Sequence, residues 1–264
     1  MSITQAILGK IFQSAGKSFS QREMSFFEHL DELRSQIIKA LIGILLGTVL
    51  CIFFADRIVQ DILLHPLRSV GLKAQVLSPY GIVMLYMEAI LICGVILSMP
   101  YTIYCIWKFV APGLLPKERH YISRIVSFTS LCFFAGVAFG YYILLPTALT
   151  FFSTFGTQNI ELHVALDQYV SFMLTLLLGA GLVFELPMIS YFLSKMGILT
   201  PGFMRKFRRH AIVVIFIISA VVTPTPDMVT QTLLALPMIL LYEVSIFISK
   251  YSQKKTAASP EDAA

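Results

Sequence analysis

Long apolar runs separated by short polar stretches set the pattern of the chain. Measured as gaps between charged residues, six runs cover positions 40–55, 89–107, 125–160, 168–184, 211–226 and 228–242. A helix rises about 1.5 Å per residue, so about 20 residues cross a hydrocarbon layer of roughly 30 Å. Most runs reach that length once flanking residues are added. The pattern therefore predicts an all-α membrane protein with six transmembrane helices.

Prolines and charges predict where the later spans end. Pro146 and the stretch 156–159 interrupt the third run, so we expect the third span to end near Leu145. The sequence Thr223-Pro224-Thr225-Pro226-Asp227 closes the fifth run after about a dozen apolar residues, roughly 18 Å of helix. The sixth run ends before Glu243. Short fifth and sixth spans are therefore predicted, and the fifth should thin the bilayer locally.

The 20 Lys and Arg residues lie between the apolar runs and indicate orientation. Basic residues concentrate in cytoplasmic loops. Most lie in the N-terminal segment, in the loops after spans two and four, and in the tail, whereas the alternate loops hold only Arg57, Arg68 and Lys73. Both termini are therefore expected in the cytoplasm. The net charge of +5 is explained by topology, so no nucleic-acid partner is expected.

Composition supports a membrane domain, because 57% of residues are hydrophobic and 13% are charged, against about a quarter charged in soluble domains. We expect one domain at residues 25–250. The extension at 1–24 is either an interfacial helix or a mobile tail, and residues 251–264 have the composition of a disordered cytoplasmic tail. The N-terminus has no pattern of a secretory or transit peptide. A multi-pass protein of the bacterial inner membrane is expected.

The reactive side chains argue against an enzyme. The four cysteines lie in or near apolar spans with no close pair, so we interpret them as packing residues. The five histidines lie in loops or at span ends, away from any intramembrane zinc or serine chemistry. A Walker-type phosphate loop is also missing from the sequence. We expect no catalytic residue, no metal site and no cofactor.

Two segments near the predicted cytoplasmic face combine charge with apolar periodicity. Residues 27–34 fit a short amphipathic surface helix, and Glu32 belongs either to a functional face or to an ordinary solvated helix start. In residues 107–119, Pro112 and Gly113 turn the chain. There Glu118 is placed to favour a helix dipole. Trp107 and Phe109 are typical interfacial anchors.

Glu185 lies well inside the fourth run, in Phe184-Glu185-Leu186-Pro187. A charged residue at such depth costs at least about 2.5 kcal/mol, so it should face protein or water, or hold a proton. Pro187 frees a backbone carbonyl that can accept a hydrogen bond from a protonated Glu185. A functional role and a purely structural role are both open.

Together these segments resemble the twin-arginine translocase receptor family, TatC, over nearly the whole chain from 27 to 249. The matching motifs are His29-Leu30-x-Glu32-Leu33-Arg34, Ser98-x-Pro100-x-x-x-Tyr104-x-x-Trp107-x-Phe109, Ala111-Pro112-Gly113-Leu114 with Glu118-Arg119, Phe184-Glu185-x-Pro187, and Thr223-Pro224-Thr225-Pro226-Asp227-x-x-x-Gln231-x-Leu233-x-Ala235-x-Pro237. The extension before Ser25 departs from the family's usual short leader.

The resemblance implies a glove-shaped six-helix receptor that binds the paired-arginine signal peptides of folded proteins at its cytoplasmic face. It would nucleate assembly with TatA- and TatB-like single-span subunits, as a homo-oligomer in membrane lipid, for export driven by the proton motive force without a cofactor. The signal-peptide residues carried over are Glu32, Phe109 and Glu118. Partner docking is carried over to the region of Thr223, Thr225 and Gln231.

Two other classes of function fit parts of the pattern. A secondary transporter would also have several spans and a membrane carboxylate, but no inverted repeat and no buried basic partner for Glu185 is apparent in the sequence. An intramembrane hydrolase is disfavoured by the lack of histidine inside the spans.

Overall fold

A computed structural model describes residues 26–110, 122–154, 163–195, 199–223 and 228–257. These residues form helices joined by two π-helical segments and one small sheet. In chain order the elements are α1 Phe26–Phe53, α2 Ala55–Arg57, the π-helical segment Ile58–Leu63, α3 His65–Ser69, β1 Lys73–Gln75, α4 Gly81–Val110, α5 Ile122–Phe139, the π-helical segment Gly140–Leu144, α6 Leu145–Thr154, β2 His163–Ala165, α7 Leu166–Val183, α8 Leu186–Lys195, α9 Pro201–Lys206, α10 Arg208–Val222 and α11 Met228–Ala257.

Helices α1 and α4 pack antiparallel against each other through glycines. A Cβ added to Gly94 would lie 2.5 Å from the Cα of Thr48, and one added to Gly47 would lie 2.7 Å from the Gly94 carbonyl oxygen. Small residues let membrane helices approach this closely, because no side chain separates the two backbones. The contact fixes the register of α1 along α4. It therefore also fixes the positions of the α1 side chains that face α4.

The third helical stretch continues well past Leu145. Helix α5 passes through the π-helical segment Gly140–Leu144 directly into α6, which ends at Thr154. The prediction that the span ends near Leu145 is therefore wrong. Pro146 is the second residue of α6, and the wider π turn before it, closed by the Leu145 N–H on the Gly140 carbonyl, accommodates its ring.

Helix α7 is the centre of the molecule. Its buried side chains include Met173, Leu174 and Leu176, each with no exposed surface, and they join a core formed with α4, α6 and α11. The stretch then breaks at Phe184 and Glu185 before α8 begins at Leu186. The break places Glu185 between two helices, where it packs inside the bundle.

One end of the bundle is closed by the segment between α1 and α4. Strand β1 pairs in parallel with β2, with Ala74 opposite Val164. The Tyr141 and Tyr169 hydroxyls donate hydrogen bonds to the carbonyls of Ile62 and Leu63, at 3.0 and 2.9 Å. These contacts fasten the segment to the start of α7 and to the π-helical segment Gly140–Leu144.

The last two helices differ in length. Helix α10 has 15 residues, about 22 Å, which agrees with a short fifth span. Helix α11 has 30 residues and continues beyond the apolar run 228–242, so the length of the sixth span stays a prediction. Glu243 lies within this helix, and Arg208 pairs with its carboxylate at 2.6 Å. The helix also continues to Ala257, into the segment 251–264 whose composition predicts disorder.

Five helical stretches of the described residues are long and apolar enough to cross a membrane: His29–Phe53, Gly81–Val110, Ser123–Thr154, Leu166–Ser194 and Met228–Lys250. Helix α10 is too short to be counted with them. The prediction of an all-α membrane bundle is confirmed, while the total of six spans and the orientation stay predictions.

Candidate functional site

Two of the predicted signal-peptide residues, Glu32 and Phe109, lie near the ends of α1 and α4 that meet each other. The His29 ring stacks on the Phe109 ring, with 4.4 Å between centroids and 18° between planes. Glu32 follows His29 by one helical turn, and its Oε2 atom is buried with no hydrogen-bond partner among the described residues. A carboxylate oxygen without a donor gains a charge-assisted hydrogen bond when a cationic group reaches it. This end of the helix pair is therefore suited to receive a cationic donor.

Gln36 lies one further turn along α1 and was missed by sequence reasoning. It is 5% exposed, and no residue that the structure describes donates a hydrogen bond to its Oε1 atom. An uncharged amide gives no charge signal, so only its spacing of four residues from Glu32 indicates that the two share a helix face. The inner face of α1 thus carries two unsatisfied acceptors.

Some predicted residues fall outside the described parts of the chain. Glu118 and Thr225 both lie there, so their roles stay predictions. The extension at 1–24 and Asp227 also lie outside.

Glu185 lies on a groove inside the bundle. It is 8% exposed, and its Oε1 atom has no hydrogen-bond partner in the described parts of the chain, so the predicted bond to a carbonyl freed by Pro187 does not form at that oxygen. The groove has a volume of about 450 Å³ and is lined by α4, α5, α7 and α8. Thr129, also on its wall, has a buried Oγ1 without a partner. The groove is apolar apart from these two groups.

Trp107 forms part of the same wall. It is 7% exposed and meets the Phe192 ring edge to face, with 5.2 Å between centroids. The prediction that Trp107 is an interfacial anchor is therefore wrong. An indole buried between α4 and α8 instead supports the helices that hold Glu185 in place.

The predicted partner-docking residues join α10 to α11. The Ser219 hydroxyl donates to the Gln231 carbonyl at 2.6 Å, and the Gln231 amide donates to the Phe216 carbonyl at 3.0 Å. Thr223 is 5% exposed and donates to the Ser219 carbonyl at 2.8 Å. These donors are used within the helix pair. Docking at these residues stays a prediction.

The fold and these sites define the class of the chain: a multi-pass helical membrane protein with polar groups buried between its spans. A family model described as "Sec-independent protein translocase protein (TatC)" matches residues 28–237. The chain belongs to the TatC family and is a translocase component of the bacterial inner membrane.

Individual relatives agree over most of their lengths. The TatC protein of Carboxydothermus hydrogenoformans is 37% identical, over 89% of this chain and 96% of its own. The chloroplastic TATC of Pisum sativum is 35% identical, over 84% of this chain and 62% of its own. A crystal structure of the twin arginine translocase receptor TatC superposes with a TM-score of 0.78 at 34% identity, covering 86% of this chain and all of that one.

Proposed function

We propose that this chain is the receptor that binds the paired arginines of signal peptides at the α1–α4 end of the bundle. The observation that carries the proposal is the buried, unpaired Oε2 of Glu32 one turn from the stacked His29 and Phe109 rings. A carboxylate accepts two parallel hydrogen bonds from a guanidinium, an arrangement that a lysine ammonium does not reproduce. Glu118 supplies the second carboxylate, so each arginine has its own acceptor.

The same proposal includes partner subunits. TatA- and TatB-like single-span helices dock where the membrane bundle presents polar groups, near Glu185 and near the α10–α11 pair. Hydrogen bonds between membrane helices favour such docking. The assembled complex contains several copies of this chain and uses the proton motive force, with no catalytic residue in this chain.

The function is tested by export of a twin-arginine reporter in cells that lack this protein. Restored export by the wild-type chain, together with crosslinking of a twin-arginine peptide to a photoreactive group at Phe109, supports the receptor. Failure of both would contradict it. A secondary transporter or a hydrolase would give neither result.

We predict that both termini and the loops at Lys117 and Arg208 face the cytoplasm, while Thr157 and Asp227 face the other side. The asymmetric distribution of Lys and Arg is the physical reason. Single cysteines at these positions, in a background without the four native ones, are labelled with an impermeant maleimide from either side. Labelling of Thr157→Cys from the cytoplasm alone would overturn the orientation and the signal-peptide site with it.

We predict that Glu185→Gln keeps signal-peptide binding and much of transport, whereas Glu185→Ala keeps binding and impairs assembly with partner subunits. Hydrogen bonds between membrane helices contribute about 0.6 to 2 kcal/mol, which biases docking without deciding folding. Assembly is measured by co-purification and transport by reporter export. Glu88→Ala in α4 is the matched control, because Glu88 is half-buried and lies far along α4 from the groove. Normal export by Glu185→Ala would show that the residue is merely tolerated.

A further inference from the structure

The turn that joins α9 to α10 carries cations that the proposed receptor site does not use. We call residues 203–210 the basic turn. Arg205, Lys206, Arg209 and His210 are all exposed. Within the described parts of the chain, Arg208 is the member of this turn that has a carboxylate partner, Glu243. Arg205, Lys206 and Arg209 therefore present uncompensated positive charge at the surface.

Two exposed aromatic rings accompany these cations. Phe203 and Phe207 are 51% and 38% exposed, and their rings lie 4.5 Å apart. The His210 ring lies 5.5 Å from that of Phe207. Exposed phenyl rings in water are unfavourable, whereas rings at the level of lipid headgroups bury their apolar faces. The combination is typical of a surface that meets a membrane.

The position of the basic turn along α11 also indicates that it lies at a membrane surface. The Tyr242 hydroxyl donates to the Met204 carbonyl at 2.8 Å, and Arg208 pairs with Glu243 at 2.6 Å. These contacts fix the turn beside the middle of α11, whose apolar stretch continues to Lys250, about 10 Å further along the helix axis. The turn therefore lies below the end of a spanning helix and within reach of the headgroup layer. Exposed basic side chains at the headgroup level attract the phosphates of anionic lipids.

We propose that the basic turn binds the phosphates of anionic phospholipid headgroups. The guanidinium groups of Arg205 and Arg209 bind phosphate oxygens through paired hydrogen bonds, and Lys206 adds a point charge. Phe203 and Phe207 lie against the glycerol and upper acyl region. The short α10 brings the headgroups of a locally thinned bilayer down to these side chains.

The test uses the full-length protein, extracted with mixed phosphatidylglycerol and phosphatidylcholine, and counts the retained lipids by native mass spectrometry. Wild type is expected to retain phosphatidylglycerol preferentially. Each cation near an anionic surface changes affinity about fivefold, so Arg205→Gln combined with Arg209→Gln should lower the preference roughly thirtyfold. The matched control, Arg57→Gln with Lys73→Gln, removes the same charge from exposed positions away from this turn and should keep the preference.

Three outcomes would overturn the proposal. The first is equal retention of both lipids by wild type, and the second is an equal loss in the control variant. The third is displacement of phosphatidylglycerol by inorganic phosphate but not by chloride at the same ionic strength, which would identify a site for a soluble anion. Signal-peptide binding is measured in parallel, and it should be unchanged in both variants. A loss there would bear on the receptor function and not on the lipid site.

Discussion

Replacing Glu32 by alanine is expected to lower the affinity for a twin-arginine signal peptide by roughly ten- to hundredfold. Hydrogen bonds to charged groups contribute about 1.5 to 3 kcal/mol each, and the variant removes an acceptor that is buried and unpaired in the free protein. Glu118→Ala should have a similar effect. The protein should remain folded in both cases, because Glu32 forms no hydrogen bond through Oε2 that stabilises the bundle. The readout is peptide crosslinking to Phe109 as a function of peptide concentration.

Asp31→Ala is the matched control for this experiment. Asp31 is the neighbouring carboxylate on α1, but it is exposed, whereas Glu32 is partly buried. A general loss of negative charge at this surface would weaken binding equally in both variants. A specific clamp would leave the Asp31 variant close to wild type. Unchanged binding in both Glu32→Ala and Glu118→Ala would contradict the carboxylate-clamp model.

Much of the helical architecture follows from the spacing of apolar runs, but the helix ends do not. Pro146 lies inside a continuous helical stretch because a π-helical segment precedes it. Glu243 lies inside α11, where a glutamate favours the helix, and it pairs with Arg208, 35 residues earlier. Both features depend on contacts that a local reading of the chain does not contain. The helix ends predicted from Pro146 and Glu243 are therefore absent from the structure.

The candidate site was predictable only in part. Glu32 and Phe109 are far apart in sequence, and their proximity to one end of the bundle follows from the antiparallel packing of α1 on α4, which the resemblance implied and composition did not. Gln36 and Thr129 were missed, because a buried uncharged group becomes conspicuous only when its missing hydrogen bond is seen. Glu185 was identified because it is an ionisable residue well inside an apolar run. Its position at the break between α7 and α8 was not predicted.

The packing of α1 on α4 predicts a second large effect. Gly94→Ala should lower the thermal unfolding temperature by roughly 2 to 10 °C, because overpacking a close contact costs about 1 to 3 kcal/mol. The added Cβ would lie 2.5 Å from the Thr48 Cα and 2.7 Å from its backbone nitrogen, so a rotamer change cannot relieve the clash. The helix backbone itself must move.

Signal-peptide affinity should fall in the same variant, because α1 carries Glu32, is the least buried of the five long spans and packs chiefly on α4, so a shift at the Gly94 contact moves Glu32 as well. Gly202→Ala in α9 is the control, since a Cβ there meets nothing within 4 Å, and it should leave both the unfolding temperature and the affinity near wild type. A wild-type unfolding temperature for Gly94→Ala would show that the two helices are not in such close contact. Lower stability with full peptide affinity would show instead that the register of α1 on α4 does not position Glu32 for binding.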